Sequence, residues 1–135
     1  AVALDVDAML LRDDPLALQH RGKSKPSTSP VQRAIAAMQS NIEQPLSLND
    51  LSKIAACPPK TLLRRFKVAF GATPIQVYRH IRLTNARQLV ESTSLSMSEI
   101  ALRSGYESAA ALSRAFRLRF GVSPRELSKT YRSAR

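Results

Sequence analysis

Cysteine and aromatic residues are scarce in this sequence, and both shortages exclude classes of protein. The single cysteine, Cys57, excludes a disulfide framework and a cysteine-rich metal site. Tryptophan is absent and aromatic residues make up only 5% of the chain, so a core must be built mainly from small aliphatic side chains. No apolar run is long enough to span a bilayer, and no export signal opens the sequence. We expect a protein of the reducing cytoplasm that has no membrane partner.

Groups of residues that carry out chemistry are also missing. His20 and His80 have no partner at metal-ligand spacing, and no two carboxylates are paired in one place. We interpret Cys57 as a small buried apolar residue, because Lys60 alone gives little support for a reactive thiolate. The sequence therefore predicts no enzyme, no cofactor and no metal site. An alternative that stays open is a methyl-accepting or redox-sensing role for the Cys57 thiol.

Acidic residues are few, and their distribution indicates the kind of partner. The chain has 21 lysines and arginines against 10 acidic residues. Residues 1–30 hold four of each sign, whereas residues 31–135 hold seventeen basic and six acidic residues, a net charge of +11. The whole excess lies on the part that is predicted to fold, which favours a polyanionic partner. The alternative is a solvated basic surface that serves solubility.

Helix start signals recur from residue 29 onwards, and no segment alternates as a strand would. In each signal a serine or threonine precedes a helical pattern and an acidic residue or glutamine follows three positions later. In three of them, a proline stands at the first helical position. The predicted starts are Ser29, Ser47, Thr73, Ser96 and Ser123. With two further amphipathic helices between them, the chain is predicted to be all-α, with about seven helices.

The helical period also predicts which side chains are buried. The first helix is expected to be stopped by Pro45 and to bury a face that includes Ile42. The second is expected to bury a stripe that includes Ile54. Two later helices, at residues 60–70 and about 108–120, combine an apolar inner face with a basic outer face. The inner face of the second is expected to include Leu112, Phe116 and Phe120.

These two basic helices belong to an internal repeat. The matched pairs lie fifty residues apart: Leu62 and Leu112, Arg64 and Arg114, Phe66 and Phe116, Phe70 and Phe120, Gly71 and Gly121, Pro74 and Pro124. Before the turn the offset is forty-nine, because the second turn has one extra residue. Agreement at so many positions indicates a duplicated unit. A short helix, a tight turn and a second amphipathic helix form a helix-turn-helix, whose second helix lies in the DNA major groove.

A family resemblance follows from these residues. The segment SEIALRSGYESAAALSRAFRLRFGVSP resembles the C-terminal signature of AraC/XylS transcriptional regulators. The first repeat and RLTNARQLV at residues 82–90 match the rest of that family's DNA-binding domain, so the likeness covers about residues 31–130. It implies homeodomain-like three-helix subdomains at 30–72 and 93–135, joined by a linker helix at 73–92. Residues 1–29 would be the tail of an upstream domain plus a flexible linker.

The resemblance also implies a function and partners. It implies sequence-specific binding of double-stranded promoter DNA by a bacterial regulator, expected to be an activator that contacts RNA polymerase. Both recognition helices would enter successive major-groove segments on one face of the DNA. An N-terminal sensor or dimerisation domain would precede Ala1, in a cytoplasmic protein that is nucleoid-associated when bound. As an alternative, one repeat reads DNA while the other contacts RNA polymerase or the sensor.

The chain departs from the family pattern in two places. Ala56 and Pro58 stand where relatives commonly have a glycine and a serine cap, so one side-chain cap is lost, worth about 1 kcal/mol. The second recognition helix opens with Ala109, Ala110 and Ala111, where relatives often have polar residues. Alanine cannot hydrogen-bond a base edge, but it can contact a thymine methyl group.

The outward positions of the two basic helices supply the predicted DNA contacts. Arginine can donate two hydrogen bonds to guanine O6 and N7, so Arg64 and Arg114 are the strongest base readers, with a phosphate contact or a solvated charge as the alternative. Leu63 is either a thymine-methyl contact or ordinary edge packing. The predicted base-reading residues are Lys60, Leu63, Arg64, Ala110, Ser113 and Arg114.

Other residues are expected to contact phosphates, which position a protein without reading sequence. Two of them, Ser47 and Ser96, begin helices whose free N–H groups can bind phosphate, with simple capping as the alternative. The predicted phosphate contacts are Arg65, Lys67, Arg117, Arg119, Ser47 and Ser96. Of Arg79, Arg82 and Arg87, at least one is expected to pair with a nearby acid instead.

Overall fold

A computed structural model describes residues 29–134, and all regular secondary structure in this range is helical. The seven helices are α1 (Pro30–Ser40), α2 (Leu48–Ala55), α3 (Pro59–Phe70), α4 (Pro74–Ser92), α5 (Met97–Arg103), α6 (Ala109–Phe120) and α7 (Pro124–Ala134). The prediction of an all-α fold with about seven helices is confirmed. The expectations for residues 1–28, including His20, lie outside the described residues. Among those described, no helix combines the length and the apolar character needed to cross a membrane.

The chain divides into two compact units, and the boundary falls within α4. In the described range, unit 1 contains residues 29–38 and Leu46–Tyr78, and unit 2 contains Gln39–Pro45 and residues 79–134. Each unit therefore holds one helix-turn-helix, formed by α2 and α3 in unit 1 and by α5 and α6 in unit 2. We call α3 and α6 the recognition helices.

The core of unit 1 is lined by residues spaced at the helical period. α3 buries Leu62, Phe66 and Phe70, and the two phenylalanine rings lie 5.6 Å apart. α2 packs against α3 and buries Leu51 and Ala55. Burying a leucine or phenylalanine side chain stabilises the fold by about 1.5–3 kcal/mol, so these residues fix which face of α3 points outward.

The core of unit 2 repeats this arrangement. Leu83, Ala86 and Val90 of α4 form one buried cluster with residues of α5 and α6. The partners from α5 and α6 are Ile100, Ala101, Leu112 and Phe116. The ring of Phe116 meets that of Phe120 edge-on at 4.6 Å.

An arginine binds the turn before each recognition helix. In unit 1, Arg33 of α1 donates to the Ala55 carbonyl oxygen from Nε at 3.2 Å and Nη2 at 2.7 Å. In unit 2, Arg82 of α4 donates to the carbonyls of Ser104 at 3.1 Å and Gly105 at 2.6 Å. The two arginines are forty-nine residues apart, so the repeat extends back to α1 and α4. Sequence reasoning did not detect these contacts.

The expectation that one arginine of α4 pairs with an acid is confirmed by Arg87. Its Nε lies 3.0 Å from Glu91 Oε2, one helical turn away. Arg82 has a different role, because its acceptors are backbone carbonyls and its guanidinium lies 4.3 Å from the centroid of the Tyr106 ring.

The two turns differ in backbone strain. Ala56, which caps α2, has φ of +60°, a left-handed conformation that costs an L-residue about 1–2 kcal/mol. Gly105 has φ of +81° in the second turn, where glycine avoids this cost. A Cβ on Gly105 would also lie 2.3 Å from the Ile42 carbonyl oxygen. Glycine is therefore required at Gly105 for two reasons.

Three predicted boundaries and burials were wrong. α1 ends at Ser40 and not at Pro45, and Ile42 lies beyond it, half-buried, with its carbonyl oxygen directed at the second turn. Ile54 is 44% exposed, because α2 buries Leu51, Ser52 and Ala55 instead. Ser52 tolerates burial since its hydroxyl donates to the Leu48 carbonyl at 2.9 Å.

Two further residues are less buried than predicted. Cys57 was expected to be buried and is half-buried in the first turn. Phe120 was expected inside and is half-buried, with the Arg87 guanidinium 5.0 Å from its ring centroid. An arginine carbon stem and cation cover part of an aromatic ring that the core does not enclose.

Candidate nucleic-acid interface

The first recognition helix, α3, has a fully apolar inner face and a basic outer face. Pro58 is its N-cap and forms no side-chain cap hydrogen bond, as the sequence predicted. Proline fits here because the first-turn N–H groups have no partner within a helix. Gly71 ends the helix in the left-handed conformation. On the outer face, Lys60 and Arg64 are exposed, and Leu63 is half-buried beside them.

The second recognition helix, α6, repeats this geometry, and unlike α3 it has a side-chain cap at its N-terminus. The Ser108 hydroxyl caps it and accepts a hydrogen bond from the Ala111 N–H at 3.1 Å. Opposite its buried face, Ala110 and Arg114 are exposed. Ser113, which is equivalent to Leu63, is half-buried like its counterpart. Each unit thus brings its three predicted base-reading residues onto one outer face of one helix.

The cations that are predicted to contact phosphates differ in their exposure and in the partners that they already have. Arg65 and Lys67 are exposed on α3. Arg117 is exposed on α6, and its Nη2 lies 3.4 Å from Glu126 Oε1. An exposed pair of this length contributes little to stability, so the Arg117 guanidinium can exchange this partner for a phosphate.

Arg119 differs from the other three cations. Its Nε donates to Nδ1 of the buried His80 at 3.0 Å, and its guanidinium lies 5.7 Å from the Phe120 ring centroid. The side chain is half-buried. At least one N–H donor of Arg119 is therefore already hydrogen-bonded within unit 2.

The two serines predicted to contact phosphate both cap helices. Ser47 forms a full capping box with Asp50, through hydrogen bonds of 3.1 and 3.2 Å. Ser96 accepts from the Glu99 N–H at 3.1 Å, and the Glu99 carboxylate pairs with Arg103 at 3.1 Å. Capping, the alternative reading of both serines, is present in each case.

Groups suited to other chemistry are few in the described range. Between residues 29 and 134, no cluster of three or more histidine, cysteine, aspartate or glutamate residues has the geometry to hold a metal ion. His80 is buried, and its ring nitrogens lie near Arg119 Nε and, at 3.4 Å, Thr84 Oγ1.

Two residues that sequence reasoning missed lie on the same outer faces. Val68 of α3 is 83% exposed and Leu118 of α6 is 89% exposed. They are fifty residues apart and therefore equivalent in the repeat. The signal was present, because each follows a predicted base-reading arginine by four residues, which is about one helical turn.

Comparisons with known proteins agree with this geometry. The helix-turn-helix domain family matches residues 51–130. The transcriptional regulator ArgR of Pseudomonas aeruginosa is 36% identical over 105 residues, which are 78% of this chain and 31% of ArgR. The chain therefore spans about a third of the length of that relative.

Solved structures with the same fold include DNA-binding domains. An AraC-type transcriptional regulator from Chromobacterium violaceum superposes with a TM-score of 0.73 at 34% identity, over 76% of this chain and 91% of that one. The DNA-binding domain of AdpA, a global transcriptional factor solved in complex with a target DNA, gives a TM-score of 0.74 at 29% identity, over 80% and 97% of the two chains. The chain belongs to the AraC-type family of helix-turn-helix domains, which bind DNA sequence-specifically in transcriptional regulators.

Proposed function

We propose that both units bind one duplex, with α3 and α6 each entering a segment of the major groove. The observation that supports this most strongly is the equivalence of Arg64 and Arg114. Both are exposed, both lie opposite a buried phenylalanine-lined face, and both occupy the same position of the repeat. A recognition helix needs this combination, because its inner face must be held by the core while its outer face contacts base edges.

Within each groove, the arginines read guanine. A bidentate contact with O6 and N7 is worth about 1–3 kcal/mol of discrimination against another base. Lys60 also donates to base edges, and Leu63 and Ala110 contact thymine methyl groups. Ser113 lies one residue before Arg114 and donates or accepts a hydrogen bond at a neighbouring base.

Exposed cations beside these residues bind the phosphate backbone. Arg65 and Lys67 do so from α3, and Arg117 does so from α6. The proposal for Arg119 is narrower, since the Nε donor already binds His80 and only its remaining N–H groups can bind a phosphate. The first-turn N–H groups of the helices capped by Ser47 and Ser96 add contacts of the helix-terminus kind.

In the whole protein, we propose an activator that contacts RNA polymerase and carries a sensor or dimerisation domain. The resemblance to AraC/XylS regulators supports all three parts of this proposal, and the length of ArgR, of which this chain spans about a third, supports the further domain alone. Transcription from a promoter that carries the selected binding site, measured with purified polymerase, tests it. The site should raise transcript yield when the regulator is present.

Protection of guanine N7 from methylation tests the two-groove proposal directly. We expect two protected patches about one helical turn apart, roughly 10 base pairs, on one face of the DNA. Arg64→Ala should remove one patch and Arg114→Ala the other. Arg87→Ala, which removes a cation already bound to Glu91, should leave both patches in place. If the chain binds DNA but protects no guanine N7 in any bound sequence, the proposal is contradicted.

A second candidate function is favoured by the start of α6. Ala109, Ala110 and Ala111 offer no hydrogen-bonding side chain where the helix would meet base edges. In this version, unit 1 reads DNA and unit 2 contacts RNA polymerase or the sensor. A single protected patch that depends on Arg64 and not on Arg114 would favour it over the two-groove proposal.

A further inference from the structure

Val68 and Leu118 are the most exposed of the large apolar side chains in the described region. A single exposed aliphatic residue is ordinary and needs no explanation. Here, however, the same position of both repeats carries one, and each lies one helical turn after an exposed arginine. Two equivalent residues in the same unusual position indicate a shared role.

The helical period places these side chains in line with the base readers. Residues four apart lie on one face, so Lys60, Arg64 and Val68 form one outer row of α3. Ala110, Arg114 and Leu118 form the matching row of α6. At a rise of 1.5 Å per residue, Val68 and Leu118 lie about 6 Å along the axis from their arginines. This distance equals about two base-pair steps of 3.4 Å.

The surroundings favour DNA over protein as the partner of these two side chains. Arg65 and Lys67 precede Val68 by three residues and one residue, and Arg117 directly precedes Leu118, so a partner must accept several positive charges. Within the major groove of DNA, the apolar group on the base edges is the C5-methyl of thymine. An aliphatic side chain on this row gains free energy by burying that methyl group and gains none from a phosphate.

We propose that Val68 and Leu118 each contact a thymine methyl group, so that each half-site carries a thymine within about two base pairs of the guanine bound by Arg64 or Arg114. This inference rests on the proposed function. It adds one specificity-determining residue to each recognition helix.

Replacement of thymine by deoxyuridine tests the contact, because it removes only the methyl group. A binding sequence is first selected from random DNA with the 135-residue chain, and each thymine is then replaced singly. We expect one position in each half-site where the Kd rises about fourfold. This factor corresponds to the free energy of transferring one methyl-sized group out of water. Val68→Ala should abolish this sensitivity at one of the positions, and Leu118→Ala at the other.

Leu102→Ala is the matched control. Leu102 is 63% exposed on α5, outside the recognition helices, so its replacement should leave the deoxyuridine sensitivity of both half-sites unchanged. All three replacements are at exposed positions and should keep the fold, which thermal unfolding of each variant verifies.

Two outcomes would overturn the inference. If every thymine tolerates deoxyuridine while Arg64→Ala and Arg114→Ala still relax base preference, the thymine contacts do not exist, although the proposed function stands. If the Val68→Ala and Leu118→Ala variants bind DNA like the wild type but no longer activate transcription by RNA polymerase, these side chains contact protein instead. Failure to select any preferred sequence would instead contradict the proposed function itself.

Discussion

The guanidinium of Arg82 donates from Nη2 to the carbonyl oxygen of Gly105 at 2.6 Å, which fastens α4 to the turn that leads into α6. The same side chain donates from Nε to Ser104 and covers the Tyr106 ring. Because Arg33 binds the carbonyl of Ala55 in the other unit, both recognition helices begin from a turn fixed by an arginine. The proposed base reading requires such a fixed turn, since a recognition helix must enter the groove at one defined angle.

Replacement of Arg82 by lysine should destabilise unit 2. Lysine keeps the charge but cannot donate in two directions from a planar group, so at least one charged hydrogen bond is lost. We expect the free energy of unfolding to fall by about 1.5–3 kcal/mol in urea titrations. Arg79→Lys, at an exposed position on the same helix, should change it by less than about 0.5 kcal/mol. Equal effects of the two changes would contradict the role given to Arg82.

Two glycines with the same φ of +81° should respond differently to alanine. In Gly105→Ala, the new Cβ meets the Ile42 carbonyl oxygen at 2.3 Å in addition to the left-handed strain, so we expect a loss of about 3 kcal/mol or more. In Gly121→Ala, no atom lies within 4 Å of the Cβ, and only the strain of about 1–2 kcal/mol applies. Thermal unfolding compares the two, and a larger loss at Gly121 would contradict the packing described.

Replacement of Tyr106 by phenylalanine should not destabilise the protein at neutral pH. The Tyr106 hydroxyl is buried and has no hydrogen-bond partner among the residues that the structure describes, so its removal costs nothing and can return about 1 kcal/mol. The stacking of Arg82 on the ring is kept. A loss of more than about 1 kcal/mol in urea at pH 7 would mean that the hydroxyl has a partner.

The Tyr106→Phe variant should also differ from the wild type in its stability at alkaline pH. Burial raises the pKa of the Tyr106 hydroxyl above its usual value of about 10, against the opposing charges of Arg82 and Arg79. Because the unfolded state loses this proton first, the free energy of unfolding should fall as the pH rises above about 10. Tyr106→Phe lacks this group, so its stability should fall less over the same range. Parallel stability profiles of the two proteins would contradict the shift.

The salt dependence of DNA binding should separate phosphate contacts from base contacts. Lys67→Ala and Arg117→Ala should weaken binding to all sequences alike and lower the slope of log K against log salt by about one each. Arg87→Ala should keep the wild-type slope, because Arg87 lies on α4, outside the recognition helices, and its guanidinium is held by both Glu91 at 3.0 Å and the Phe120 ring. An unchanged slope in Lys67→Ala would show that the Lys67 side chain contacts no phosphate.

Much of the fold could be predicted because its signals are local. Capping residues mark helix starts, as at Ser47 and Ser96, and the apolar period identifies Leu62 and Phe66 as core. The end of α1 was missed because it depends on a tertiary contact: the Ile42 carbonyl lies against Gly105, sixty-three residues later. A pattern of neighbouring residues in the sequence cannot predict a contact between residues this far apart.

The candidate site could be proposed from local signals of the same kind, but the sequence prediction of its surroundings was incomplete. The repeat and the helical period identify Arg64 and Arg114 without any tertiary information. The turn contacts of Arg33 and Arg82 join residues 22 or 23 apart through backbone carbonyls, which carry no side-chain signal. Val68 and Leu118 were overlooked because an aliphatic residue in a helix is usually buried. Their spacing from Arg64 and Arg114 places them on the outer face, and their exposure in the folded structure shows it directly.

Selection of binding sequences from random DNA, with the wild type, Arg64→Ala and Arg114→Ala in parallel, tests the central claim most directly. We predict a wild-type consensus with two conserved guanines about one helical turn apart, of which each variant loses the preference for a different one. Loss of the same position by both variants, or a consensus unaffected by either change, would contradict an account in which the two recognition helices read separate segments of DNA.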